Sequence, residues 1–140
     1  MGLLDQARAL AVEAGDRSLL RAVCNSLGIF HQLQGDHEKA IEEFEQARAI
    51  AVERGDRQNE GKACTNLAVS CRALKQYDKA IELLEHSLAV YEELCDKSMQ
   101  ALTCRNLGVC LSRHGQHDRA VDCLKPVSYT HLTLPTIPLV

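Results

Sequence analysis

The sequence predicts an all-α protein, a solenoid of antiparallel helix pairs, and two observations support this prediction. All three prolines lie at position 126 or beyond, so residues 1–125 lack the residue that most strongly breaks helix interiors. The sequence also superposes on itself at a shift of 40 residues. Because a fixed period of this length is typical of stacked helix pairs, we expect about two and a half copies of one unit.

The repeat is defined by positions that are identical in all three copies. These are Asp16, Asp56 and Asp96; Cys24, Cys64 and Cys104; Leu27, Leu67 and Leu107; and Ala40, Ala80 and Ala120. The period divides the chain into the second helix of a truncated repeat (1–15), two complete repeats (16–55 and 56–95) and a truncated third repeat (96–125).

The first helix of each pair is predicted from an N-cap and an apolar stripe. Asp16, Asp56 and Asp96 stand where a side-chain oxygen accepts bonds from the amides of a helix start. Helical spacing over residues 17–34 is shown by Leu20, Val23, Cys24, Leu27 and Phe30.

The second helix of the first complete repeat is predicted over residues 37–53. Its apolar face consists of Ala40, Ile41, Phe44, Ala47 and Ala51. Gly28 in the first helix is expected to face Ala40, since two helices approach closely only where side chains are small. Ala68 and Ala80, and Gly108 and Ala120, are expected to form the same pair in later copies.

Glycines mark the joints between helices. Gly15 and Gly55 precede two of the caps, and Gly35 and Gly115 close the first helices of their copies. A left-handed glycine is a common helix terminator. Lys75 departs from this pattern.

These residues resemble the tetratricopeptide repeat. The family pattern of Leu-Gly followed by small, bulky and small residues reads Leu27-Gly28, Ala40, Phe44, Ala47, and then Leu67-Ala68, Ala80, Leu84, Ser87. The resemblance covers roughly residues 3–125 and implies a right-handed solenoid that binds proteins. The 40-residue length, with its Gly-Asp-Arg joint, resembles the Pins/LGN group of G-protein-signalling modulators. A HEAT-type repeat is the structural alternative.

Residues 126–140 lose both the period and the charge of the repeats, since they contain no Asp, Glu, Lys or Arg. We expect this tail to lie outside the fold, as disordered chain or as translated cloning sequence on a truncated fragment; a genuine splice end is the alternative.

No catalytic motif or phosphate-binding loop occurs, so we expect no enzyme and no cofactor. The seven cysteines include no CxxC pair, and the equivalent residues Cys24, Cys64 and Cys104 are predicted to be small buried apolar residues. Cys110, His114 and His117 form the best metal candidate, but we predict that no metal binds. A thiol-based redox or metal sensor remains an alternative function.

Charge is distributed unevenly between the two helices of each pair. The first helices (17–34, 57–75 and 97–114) carry nine cations and one carboxylate, Glu60. The cations are Arg17, Arg21, Arg57, Lys62, Arg72, Lys75, Lys97, Arg105 and Arg113. The complete second helices are acidic, with −3 over residues 36–54 and −4 over residues 76–94.

The resemblance places first helices along a concave groove, which would therefore be basic. It implies a peptide-binding groove made of Asn25, Ile29, Lys62, Asn66, Val69, Arg72, Arg105, Asn106, Val109 and Arg113. It also puts Thr65 in that groove. We expect a scaffold that binds an acidic or mixed acidic-apolar peptide beside neighbouring repeats of a longer chain. The alternatives are cations that only aid solubility, and a binding site that lies elsewhere in a longer array.

Other partner classes are not indicated. A net charge of −3 gives no general attraction to nucleic acid or to an anionic membrane surface. No apolar run approaches the roughly 18–20 residues that span a bilayer. We predict a cytoplasmic protein.

Overall fold

The computed structural model describes residues 2–115, and this part of the chain folds into six α-helices without a strand. They are α1 (Leu3–Ala14), α2 (Arg17–Leu33), α3 (His37–Glu53), α4 (Arg57–Ala73), α5 (Tyr77–Glu93) and α6 (Lys97–Arg113). The predicted helices at 17–34 and 37–53 are confirmed, the first ending one residue early. The expectations for residues 116–140 lie outside the described part, and none of the described helices is long and apolar enough to cross a membrane.

The helices form two layers. Each helix packs against the next along the chain, and joints of about three residues make such neighbours antiparallel. Within the described residues, α4 also contacts α2 on one side and α6 on the other. The second helices α1, α3 and α5 make no comparable contacts with one another, so the layer of α2, α4 and α6 lines the inner, concave side.

Every joint uses the same left-handed turn, and it recurs every 20 residues. Positive φ angles occur at Gly15, Gly35, Gly55, Lys75, Cys95 and Gly115. After each of the first five left-handed residues, the amide of the following residue donates to a carbonyl in the last turn of the preceding helix. Asp16 N, for example, donates to Ala11 O at 3.0 Å. The predicted glycine terminators are confirmed. Lys75 adopts the same turn at φ 62° although its side chain disfavours it.

Aspartates start most of the helices. The side chain of Asp16 accepts a bond from Leu19 N at 3.0 Å, and Asp56 and Asp96 cap α4 and α6 in the same way. These three caps were predicted from the repeat. Asp36 caps α3 as well, whereas Gln76 at the start of α5 makes no side-chain cap.

The core is built from tight contacts between large and small residues. The atoms nearest to a β-carbon built on Gly28 would belong to the Phe44 ring, at 2.5 Å from Cε1, and not to Ala40. The closest contact of Gly28 is therefore Phe44, whose ring lies one helical turn beyond Ala40 on α3, and the Gly28–Ala40 pairing stays a prediction. Gly61 of α4 packs against the ring of Tyr91 in the same way, because a β-carbon at residue 61 would clash with that ring.

Candidate functional site

One face of α4 is left uncovered by its neighbours. Helices α3 and α5 pack on its buried side, and α2 and α6 flank it. The residues that stay exposed or half-buried between these neighbours recur every three or four positions, which places them on one face of the helix. They are Gln58, Lys62, Asn66, Val69 and Ala73.

The equivalent positions of α2 and α6 are also open, and we call the three stripes together the concave surface. The stripe on α2 consists of Ser18, Ala22, Ser26, Ile29 and Leu33. The stripe on α6 consists of Ser98, Leu102, Asn106, Val109 and Arg113. Apolar residues and side-chain amides or hydroxyls dominate this surface. The predicted row of Ile29, Val69 and Val109 crosses its middle.

The helices that carry the concave surface expose no carboxylate. Neither α2 nor α6 contains an Asp or Glu, and Glu60 of α4 is only 6% exposed. Glu60 is held inside by the ring nitrogen Nε2 of His86 at 2.6 Å and by an Arg57 guanidinium nitrogen at 2.9 Å. Burial opposes ionisation of Glu60, but these two hydrogen bonds outweigh it and lower the pKa of the carboxyl.

Some of the nine first-helix cations, from whose number a basic groove was predicted, make contacts outside the concave surface. Arg17 binds Glu53 through two guanidinium nitrogens, at 3.2 and 2.7 Å, and Arg57 binds Glu93 in the same way at 3.1 and 3.0 Å. These pairs join the start of each first helix to the end of its second helix. Lys75 lies in the turn beyond α4. The simple count of nine cations therefore overstates the charge available to a ligand.

Arg72 lies at the crossing of α4 and α6. Its side chain is half-buried near the Cys110 thiol, whose pKa is raised by burial and partly lowered again by the charge of this arginine. In the preceding repeat the equivalent residue, Gln32, donates to Ser70 Oγ at 3.0 Å across α2 and α4. Arg72 therefore stabilises the stacking of repeats and borders the concave surface.

Side-chain amides connect the stripes. Asn66 donates from Nδ2 to Asn25 Oδ1 at 3.2 Å, which joins α4 to α2 on the concave side. Asn25 and Asn66, predicted from separate copies, are thus brought together. Asn106 occupies the equivalent position on α6 and is half-buried.

Two other groove-facing predictions require comment. Thr65 lies in the α4–α5 interface, with Oγ1 at 3.0 Å from Gly61 O and 3.1 Å from Ser87 Oγ, so its placement in the groove is wrong. Arg105 occupies the position equivalent to Thr65 and is exposed on α6. Its role in the groove stays a prediction.

Four of the six cysteines within residues 2–115 are buried. Cys24, Cys64, Cys71 and Cys110 are buried, and burial raises the pKa of each thiol. Burial of Cys24 and Cys64 was predicted and is confirmed. Cys104 is only half-buried, which corrects that part of the prediction; within residues 2–115 the main contacts of α6 are with α5 and α4 alone.

The metal candidate is not assembled within residues 2–115. No three potential ligands cluster there, and His114 Nε2 lies 2.9 Å from Asp78 Oδ1 in the joint beside α5. Its third proposed ligand, His117, lies outside the described residues. Cys110 is buried in the core, in one cluster with Leu67 and Cys71 of α4.

Comparisons with known proteins agree with this architecture. The TPR domain of Arabidopsis FLU superposes with a TM-score of 0.74 and 21% identity, covering 76% of this chain and 90% of that one. The TPR-like repeats of a putative kinesin light chain from Podospora anserina give a TM-score of 0.79 and 22% identity, covering 97% of this chain and 66% of that one. A point variant of those repeats also gives 0.79. These identities establish the fold alone.

No curated protein matches the sequence with significance. The narrower resemblance to the Pins/LGN group therefore stays a prediction. The tetratricopeptide repeat profile, in contrast, matches residues 18–93 and again 61–125, which together span most of the chain. This coverage, with six stacked helices and left-handed joints at a constant spacing, shows that the chain belongs to the tetratricopeptide repeat family.

Proposed function

We propose that the concave surface binds an acidic or mixed acidic-apolar peptide segment of a protein partner. The family fold is a general protein-interaction scaffold, and the specific proposal rests on one observation about this chain. Helices α2, α4 and α6 offer exposed cations and apolar side chains but no exposed carboxylate, whereas α3 and α5 carry the acidic residues. Such a surface attracts an acidic peptide and repels a basic one.

Each class of residue supplies a different part of the binding energy. Ile29, Val69 and Val109 offer apolar area, while Lys62 and Arg113 offer charge. Exposed ion pairs contribute only about 0.2 to 1 kcal/mol each, so charge alone does not hold a ligand. Asn106 can donate to and accept from an extended peptide backbone. We expect a micromolar dissociation constant, about −8 kcal/mol.

A direct binding experiment tests the proposal. A fluorescently labelled peptide of alternating Glu and Leu is titrated with the protein, and anisotropy gives the dissociation constant. Lys62→Glu combined with Arg113→Glu should weaken binding strongly, and Arg105→Glu should act in the same direction. Glu42→Lys on the exposed face of α3 is the matched charge-reversal control and should leave binding unchanged. If the control weakens binding and the concave variants do not, the partner uses the convex side.

A further inference from the structure

We infer that the concave surface selects ligands by the order of their residues, with apolar side chains over α2 and acidic side chains over α6. This inference rests on the proposed function and adds a preferred ligand pattern to it. The partner segment would be an extended peptide in which an apolar block is followed or preceded by an acidic block. A peptide of the same composition with its residues interleaved would fit less well.

The α2 end of the surface is apolar. Leu33 is 81% exposed and Ile29 is 39% exposed, and both belong to the open stripe of this helix. The helix carries no Asp, Glu, Lys or Arg between Ala22 and Leu33, so a carboxylate bound here would lose water without gaining a cation.

The α6 end is cationic. At the position equivalent to Leu33 it carries Arg113, which is exposed on the concave stripe of this helix. The stripe of α4 lies between those of α2 and α6 and carries one cation, Lys62. Within residues 2–115 no carboxylate is paired with Arg113, whose guanidinium can therefore make the two-point contact that arginine forms with carboxylates. The same structural position is therefore leucine, alanine and arginine along the array, at Leu33, Ala73 and Arg113.

The dimensions suit one short segment. Packed helices lie about 8 to 10 Å apart, so the path from α2 to α6 is roughly 16 to 20 Å. An extended peptide covers that distance in about six residues. Three apolar residues followed by three acidic ones would thus place each block over its matching helix.

Two peptides of equal composition test the inference. One has three leucines followed by three glutamates, and the other alternates leucine and glutamate; both carry the same flanking Gly and Ser residues. We expect the alternating peptide to bind about tenfold more weakly, because its carboxylates cannot all reach α6. A nitroxide spin label on the acidic end of the block peptide should broaden the amide signals of residues 105–113 and spare those of residues 22–33.

A relocated charge provides the matched control. Leu33→Arg adds a cation to α2 at a site that is almost fully exposed, so the fold should tolerate it. This variant should bind the alternating peptide more tightly and the block peptide more weakly than the parent protein does. Equal affinity for both peptides with uniform broadening would overturn the inference while leaving the proposed function intact. Absence of binding by either peptide would instead overturn the proposed function.

Discussion

Gly28 of α2 lies directly against the ring of Phe44 in α3, so closely that a β-carbon at residue 28 would stand 2.5 Å from Cε1 of the ring. Phe44 is completely buried. The equivalent pair in the next repeat is Ala68 and Leu84. In the second of these repeats a larger residue on the first helix is thus matched by a smaller one on the second helix.

The first prediction follows from this contact. Gly28→Ala should destabilise the protein by up to about 2 kcal/mol, because overpacking costs about 1 to 3 kcal/mol and the gain in helix propensity returns about 0.8 to 1. In a Phe44→Leu background the same change should be neutral or stabilising, since it reproduces Ala68 and Leu84. Urea unfolding of the four proteins measures the coupling. Additive effects would contradict a direct clash between the two residues.

The helices and joints could be read from the sequence because their signals are local. Asp16 and Gly35 act on their own helix ends through backbone geometry, and a 40-residue period repeats those signals. The partner of Gly28 could not be read in this way. Both Ala40 and Phe44 lie on the same face of α3, and only the relative shift of two packed helices decides which one meets the glycine.

The candidate site was predictable only as a charge pattern. Sequence shows that first helices are basic, but it does not show that Arg17 folds back onto Glu53 or that Arg72 lies near Cys110. These contacts depend on side-chain conformations across helix boundaries. Thr65 was misplaced for a related reason, since a polar residue can lie in an interface wherever a partner such as Ser87 satisfies it.

A second prediction concerns the joint between α4 and α5, which has neither a glycine in the left-handed position nor an aspartate at the N-cap. Lys75 adopts a left-handed conformation, which costs a residue with a side chain about 1 to 2 kcal/mol, while glycine pays about 0.5 to 1 in flexibility. Lys75→Gly should therefore stabilise the protein by about 0.5 to 1 kcal/mol. Gln76→Asp should add about 1 kcal/mol by supplying the cap that the other aspartates provide.

Arg54→Gly serves as the control for that pair. Arg54 ends α3 in a right-handed conformation, at φ −90°, so glycine gains nothing there and should lower stability. Thermal unfolding of the variants measures all three effects. A loss of stability in Lys75→Gly would contradict the importance of the left-handed turn at this joint.

Glu60 leads to a third prediction, on pH. Burial alone would raise the pKa of this carboxyl, but the bonds from His86 and Arg57 bring it below the ordinary value of 4.5. A group whose pKa is lower in the folded state stabilises the protein above its unfolded pKa and loses that effect as pH falls through the folded value. The free energy of unfolding should therefore decline below about pH 4.5.

Glu60→Gln should be less stable at neutral pH, since charge-assisted hydrogen bonds contribute about 1.5 to 3 kcal/mol. Its deficit relative to the parent protein should shrink as the pH is lowered, because the parent then loses the same charge. Glu42→Gln, at an exposed position of α3, controls for the loss of one carboxylate. A deficit that stays constant from neutral pH to acid would show that Glu60 acts through packing alone.

The cysteines provide a fourth prediction. Cys24, Cys64, Cys71 and Cys110 should react slowly with a thiol reagent in the native protein, because burial blocks access and raises the pKa of each thiol. Cys95 is exposed in its turn and should be modified first among the described cysteines. Mass spectrometry of digested, labelled protein assigns each site. Recovery of a native Cys24–Cys64 disulfide, or rapid labelling of the buried thiols, would restore the redox-sensor alternative.

A last prediction separates the electrostatic and apolar parts of peptide binding. Raising the salt concentration shortens the distance over which exposed charges interact, from about 10 Å at 0.1 M to about 3 Å at 1 M. The dissociation constant of an acidic peptide should therefore rise with salt in the parent protein. In Arg113→Gln the starting affinity should be lower and the salt dependence shallower, because one cation that attracts the peptide is gone. Val69→Ala should weaken binding by a similar amount at every salt concentration, because its contribution comes from apolar contact. Measured together, the two variants distinguish the roles of charge and contact; a salt dependence that Arg113→Gln leaves unchanged would place the peptide away from α6.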